Sequence, residues 1–199
     1  MRKIELIIAR MLVKITFYLT YLFRIKKQRI SIISYFNDQL GLEYTKLNNE
    51  LIKKYEVKYD LRKFNNTYWG KLQYLFSFIY QTYLFNTSAI VILDGNSFVL
   101  STIKKKPQVK TIQIWHAIGA IKDFGSKTRR RYQIKDYDYL ITSSPYFSEV
   151  FAQRLNTDIN HCYDTGYIKS DYLFDKDFIS KQRTLFYDKY PQYLNKKLI

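Results

Sequence analysis

The stretch Trp115-His116-Ala117-Ile118-Gly119-Ala120-Ile121-Lys122 gathers residue types that can do chemistry. An imidazole titrates near neutral pH and serves as a general base, and Lys122 is placed to meet an anion. Ala117, Gly119 and Ala120 let backbone approach a bound molecule closely. Val109 to Trp115 alternates and carries β-branched residues, which predicts a strand stopping at His116. Open α/β sheets hold ligands beyond the carboxyl ends of their strands, so this is where a crevice belongs. Spacing alone leaves a second reading open: Trp115 and His116 as core residues at a strand end, with the ring's hydrogen bond satisfied.

Other candidates are more ordinary. Ser143-Ser144-Pro145 reads as an N-cap followed by a favoured first-turn residue, and the free N–H groups of such a helix start would bind a phosphate. Lys127-Thr128-Arg129-Arg130-Arg131 is a basic run that either faces solvent or grips phosphate. His161 and Cys162 are adjacent without further ligands, which favours a buried structural role over a metal site, and no Cys/His cluster has metal-ligand spacing.

Around these residues the chain alternates strand and helix. Strands are expected at Arg29 to Tyr35, Glu56 to Leu61, Ala89 to Asp94, the anchor strand, Asp138 to Thr142 and Asn160 to Tyr163. Helices are expected at Tyr44 to Tyr55, Tyr68 to Asn86, Asn96 to Ile103, from Ser144 through Leu155, and Phe178 to Tyr190. Gly166 to Asp171 reads as a turn into a helix, and the last five residues as the opening of a strand. Such alternation predicts an α/β fold, a Rossmann-like parallel sheet with helices on both faces.

An amphipathic N-terminal helix precedes the sheet. Ile4, Ile7, Ile8, Met11, Leu12, Ile15, Leu19, Leu22 and Phe23 recur at helical spacing, with Lys3, Arg10 and Lys14 on another face. Its longest uncharged run, Ile15 to Phe23, is far short of the ~20 residues that cross a bilayer. Charged residues also interrupt any signal-peptide core. With Arg24, Lys26, Lys27 and Arg29 following, the helix suits either an anionic membrane surface or packing on its own domain or a partner.

Composition narrows the class. The 199 residues are 47% hydrophobic and 18% aromatic, which excludes disorder. A formal charge of +16 points to a polyanionic neighbour, whether nucleic acid, an acidic membrane or a phosphate-rich substrate. The single cysteine suits a reducing compartment.

Taken in order, Ile112-Gln113-Ile114-Trp115-His116-Ala117 with Gly119, Lys122 and Gly125, then Tyr139-Leu140-Ile141-Thr142-Ser143-Ser144, then Gly166-x-x-Lys169-Ser170-Asp171 resemble the CDP-glycerol glycerophosphotransferase family. These are the teichoic acid primases and polymerases of Gram-positive bacteria. The resemblance implies a fold like the N-terminal half of a GT-B glycosyltransferase and an active site in a cleft between two halves. It implies His116 as the catalytic residue, with Trp115, Gly119, Lys122, Ser143, Ser144, Gly166, Lys169 and Asp171 on the substrates, and no metal or cofactor. Ile168 and Lys169 stand where the family pattern has proline and arginine, so a bidentate phosphate grip becomes a point charge.

The family's chain continues past a sequence like Lys196-Lys197-Leu198-Ile199 into a second half that holds the cytidine nucleotide. The resemblance therefore implies an acceptor-side half, through truncation, a split gene or a fragment. It would comprise a membrane-associating helix at 1–28 and a Rossmann-like domain at 29–199. Implied partners are anionic lipids, a lipid-linked polyol-phosphate acceptor and, where a nucleotide-binding half is supplied, a CDP-glycerol or CDP-alditol donor, all at the cytoplasmic face of the plasma membrane. A non-catalytic membrane-surface remnant is the alternative. Nucleic-acid binding ranks last, because no RNA or DNA motif is present and the basic residues are spread rather than striped.

Overall fold

Short strands, most of them separated by helices, build one parallel sheet. The computed structural model describes residues 3–63, 65–115, 119, 132, 137–194 and 196. The strands are β1 (Lys26–Ser34), β2 (Glu56–Leu61), β3 (Ser88–Leu93), β4 (Lys110–Gln113), β5 (Tyr139–Ile141) and β6 (Cys162–Tyr163). They pair in the order β2-β1-β3-β4-β5-β6, every pair parallel. The connections run to one side after β1 and to the other after β2, so the order reverses between β1 and β3.

Helices α1 (Lys3–Tyr21), α3 (Tyr68–Thr87), α4 (Phe98–Thr102) and α5 (Pro145–Leu155) cover one face, with Ala9, Val13, Phe78, Phe85, Val99 and Phe151 in its core. Helix α2 (Leu42–Leu51) covers the other, where Tyr44 packs on Ile30, Ile32 and Ile92. Burial on both faces explains why β3 reads as a continuous apolar run rather than an alternating one.

Helix α1 is part of this body. Ala9 and Val13 are fully buried, the Asn86 amide donates to Phe17 O and Thr20 Oγ1 at 3.0 and 2.7 Å, and Lys71 pairs with Glu5 at 3.4 Å. These contacts advance in the same direction along both chains, so α1 and α3 lie parallel. Lys106 Nζ donates to Phe23 O at 2.7 Å and Asn86 O at 3.0 Å, where a cation complements helix ends. The opposite face of α1 is bare: Ile4, Ile8, Met11, Ile15, Leu19 and, just beyond it, Leu22 are exposed, Leu22 by 88%.

At the amino end of the sheet, Arg29 is nearly sealed. Its Nε and Nη2 grip both Glu56 oxygens at 3.2 and 3.0 Å, and Nη1 reaches Tyr83 Oη and Thr87 Oγ1 at 3.2 and 3.1 Å. That hydrogen bonding lowers the Glu56 carboxyl to about 2.

Residues Gly166–Ile199 form a second compact unit, separate from Met1–Thr165. It holds a 3₁₀ stretch (Ile168–Leu173) and α6 (Lys176–Lys189), with the Tyr172 and Phe178 rings tilted against each other, 4.6 Å between centroids. Asp175 caps α6 by accepting Phe178 N–H at 3.0 Å, which is why that helix starts earlier than its apolar spacing alone predicts. The strand expected at the last residues falls mainly outside the described positions, as does the basic run Lys127 to Arg131.

Three expectations change. The anchor strand ends at Gln113 rather than Trp115, and α2 ends at Leu51 rather than Tyr55. His161, expected to be buried, is exposed in a 3₁₀ turn capped by Asp158. Among the described residues no His/Cys/Asp/Glu group has the arrangement of a metal site.

Candidate functional site

Parallel register lines up the carboxyl ends of the central strands: Ile33 lies opposite Leu93, Leu93 opposite Gln113, and Gln113 opposite Leu140. The rim includes the reversal point between β1 and β3, where doubly wound sheets bind ligands. Asp94, fully buried at the end of β3, accepts the Ser34 hydroxyl and the Tyr35 N–H, the latter at 3.0 Å. It thereby joins the loops leaving β1 and β3. Burial pushes the Tyr35 hydroxyl well above the usual tyrosine range, and that group donates to Gln81 Oε1 at 3.0 Å.

Gln113 makes the next link. Its Nε2 donates to Gly95 O at 2.8 Å, and its Oε1 accepts Trp115 N–H at 3.0 Å. Trp115 itself has φ +52°, a left-handed conformation that costs a bulky residue about 1–3 kcal/mol. Two buried hydrogen bonds at roughly 1 kcal/mol each are of the size needed to hold it. The indole is 6% exposed and meets the edge of Phe151 at 5.8 Å. Trp115 is thus fixed at its amide, its backbone and its ring, one residue before His116.

Gly119 lies against the start of α5. A Cβ there would come within 3.1 Å of Phe147 Cζ, so only glycine fits without moving that ring. Phe147 N–H is in turn capped by Ser144 Oγ at 3.4 Å, with Pro145 opening the helix as its position predicts. The structure therefore brings Trp115, Gly119, Ser143 and Ser144 to one neighbourhood, bridged by Phe147 and Phe151. The serine pair is half-buried, and the Ser144 hydroxyl is engaged as a cap. His116 and Lys122 lie outside the described residues.

Gly166, Lys169 and Asp171 belong to the second unit. Gly166 has φ +98°, a conformation natural to glycine, with open space where a Cβ would sit. Lys169 Nζ stands 6.0 Å above the Tyr167 ring, Ser170 Oγ donates to Tyr167 O at 2.6 Å, and Asp171 is exposed.

Sequence reasoning missed Gln113 and Asp94. In the sequence Gln113 reads as one more residue of an alternating strand and Asp94 as the last residue of an apolar one. The available signal was a polar side chain at the last position of a strand otherwise buried on both faces, where it must find partners.

Comparison with known proteins fits this arrangement. The family profile described as CDP-Glycerol:Poly(glycerophosphate) glycerophosphotransferase matches residues 15–199. Over 193 residues the chain is 26% identical to the teichoic acid ribitol-phosphate primase of Bacillus spizizenii, covering 90% of this chain and 50% of that protein. It is 27% identical over 205 residues to the teichoic acid ribitol-phosphate polymerase TarK of Staphylococcus aureus, covering 94% of this chain and 39% of that one. The solved structure of the wall teichoic acid polymerase TagF superposes with a TM-score of 0.58 at 14% identity, over 96% of this chain and 49% of that chain, a likeness of fold. The chain spans about half the length of the first of these relatives and less of the second. With the profile running from α1 to the last residue, the chain belongs to the CDP-glycerol:poly(glycerophosphate) glycerophosphotransferase family.

Proposed function

We propose that this chain supplies the acceptor-side half of an enzyme that transfers glycerol phosphate, or a related alditol phosphate, from a CDP-activated donor to a lipid-linked teichoic acid or similar polymer precursor. The observation that carries this reading is the fixed Trp115, which delivers the chain into His116 from the carboxyl rim of β4. The His116 imidazole takes the proton of the acceptor hydroxyl, whose oxygen bonds to the β-phosphorus. The bond from that phosphorus to the bridging oxygen breaks, and CMP leaves with the electron pair. Lys122 and the N–H groups at the start of α5 balance phosphate charge, and the family pattern assigns Lys169 to the substrates. The donor nucleotide is bound by a second, nucleotide-binding half, as in the family pattern.

The chain works as a peripheral protein at the cytoplasmic face of the plasma membrane. Support comes from the bare apolar face of α1 and the formal charge of +16, which suit an anionic leaflet. Among the described residues no helix is long and apolar enough to cross a membrane.

The test is His116→Ala in an assembly that includes the nucleotide half and has measurable transfer activity. A rate loss of about 10²–10⁴-fold is expected for a general base, and an unchanged rate refutes the assignment. Replacing the exposed Leu19 and Leu22 by Ser, which leaves the buried Ala9 and Val13 in place, and sedimenting the protein with anionic vesicles tests the membrane role, which unchanged binding would sink.

A further inference from the structure

A cleft of about 420 Å³ opens at the carboxyl end of β2, lined among others by Tyr59, Arg62, Lys63, Gln73, Tyr74 and Tyr80. It lies away from the rim around Trp115, and among the described residues none of the family motifs lines it. Beneath it sits Asp60, buried at 4% exposure, which accepts the Ser77 hydroxyl, Gln81 Nε2 at 2.8 Å and Arg62 Nε at 3.0 Å. Those donors occupy Asp60, and Asp38, also on the wall, accepts the Lys63 backbone N–H at 2.6 Å. The carboxylates are engaged in building the site. The guanidinium of Arg62 is the opposite case: its Nε is anchored, its terminal nitrogens have no protein partner among the described residues, and its side chain is 42% exposed.

A fixed guanidinium beside a lysine suits a phosphate oxygen pair, and tyrosine hydroxyls with a glutamine amide suit neighbouring alcohols. Position adds a direction. Gly70 lines the cleft at the start of α3, and Lys71 beside it pairs with Glu5 near the start of α1. On the other side, three strand spacings, roughly 14 Å, separate β2 from β4, which leads to His116. The cleft therefore sits on the same sheet as the strand that leads to the proposed base, and beside the first turn of the helix that packs on α1.

We propose that this cleft is a subsite for the phosphodiester-linked polyol of the acceptor, holding a segment set back from the reacting hydroxyl. The inference rests on the transferase reading above. It assigns Arg62 and Lys63 to the phosphate, and Gln73, Tyr74 and Tyr80 to the hydroxyls.

Calorimetric titration of the full chain with a synthetic dimer of glycerol phosphate, with inorganic phosphate and with glycerol tests it. The dimer is expected to bind at least about tenfold more tightly than inorganic phosphate. Arg62→Gln should weaken it about tenfold, the scale of one charge-assisted hydrogen bond, and Lys63→Gln by less. Circular dichroism and melting establish that each variant is folded; if Arg62→Gln is not, Lys63→Gln carries the comparison. His161→Gln, at an exposed site that does not line the cleft, should leave dimer binding unchanged. Dimer affinity indifferent to both cation substitutions, or matched by inorganic phosphate, overturns the subsite. Transfer that survives His116→Ala while dimer binding still depends on Arg62 leaves the cleft standing and removes the mechanism, so the two failures are distinguishable.

Discussion

At the amino end of the sheet charges meet charges or helix ends, whereas at the carboxyl ends of β3 and β4 side chains are spent on holding backbone. Arg29 grips Glu56, Lys106 closes on the last carbonyls around α1 and α3, and Lys105 pairs with Asp138 at 2.8 Å. Burial pushes Asp138 up, but bonds from Lys105 and Thr111 outweigh it and keep its carboxyl below the usual range. At the other end Asp94 receives a hydroxyl and an amide, and Gln113 bridges Gly95 to Trp115. The first set resists unfolding. The second fixes loop conformations that would not form by themselves, the left-handed Trp115 above all. His161 stands at the amino end, just before β6.

The contrast can be broken most severely at Gln113. Gln113→Leu leaves the Trp115 N–H and the Gly95 carbonyl without that partner, a loss of roughly 2–4 kcal/mol. In a Trp69→Phe background, which removes the 65% exposed indole, Trp115 emission should shift to the red. Transfer should fall as well, and unchanged melting and emission would show that the side chain holds nothing.

Next in size is Arg29→Met, which removes a buried guanidinium with its bonds to Tyr83 and Thr87 and should lower stability by about 2–3 kcal/mol. Transfer per folded molecule should be unaltered. A matching loss of rate would erase the division between the two ends.

A smaller effect is expected with acid. The Glu56 carboxyl is lowered by Arg29 from 4.5 to about 2, so its contribution is complete above pH 4.5 and lost as pH falls toward 2. In urea titrations across that window, Glu56→Gln should flatten part of the decline. The least change belongs to His161→Gln, an exposed site where less than about 0.5 kcal/mol and no loss of transfer are expected. A large rate loss there would place chemistry at the wrong end of the sheet.

Much of this architecture is legible in the sequence because each strand is a short β-branched run between turn residues. The Ser144-Pro145 helix start and the continuous apolar β3 are found where pattern alone puts them. What pattern cannot show is a partner far along the chain. Arg29 and Glu56 are joined because β1 and β2 pair in one register, and nothing local to either residue announces it. The early end of β4 was hidden for a related reason. Ile114 and Trp115 have strand propensity, but the backbone turns where Gln113 takes the next amide, a tertiary choice overriding local preference. At the candidate site the motif residues were readable as types, while their supports were not.

The bonds from Asn86 and Lys106 to the end of α1 have a mechanical consequence. A leash would let the domain tumble above whatever surface it is attached to. Here the segment in question is a wall of the building, so any surface that seats its outer side also sets the tilt and height of the whole sheet.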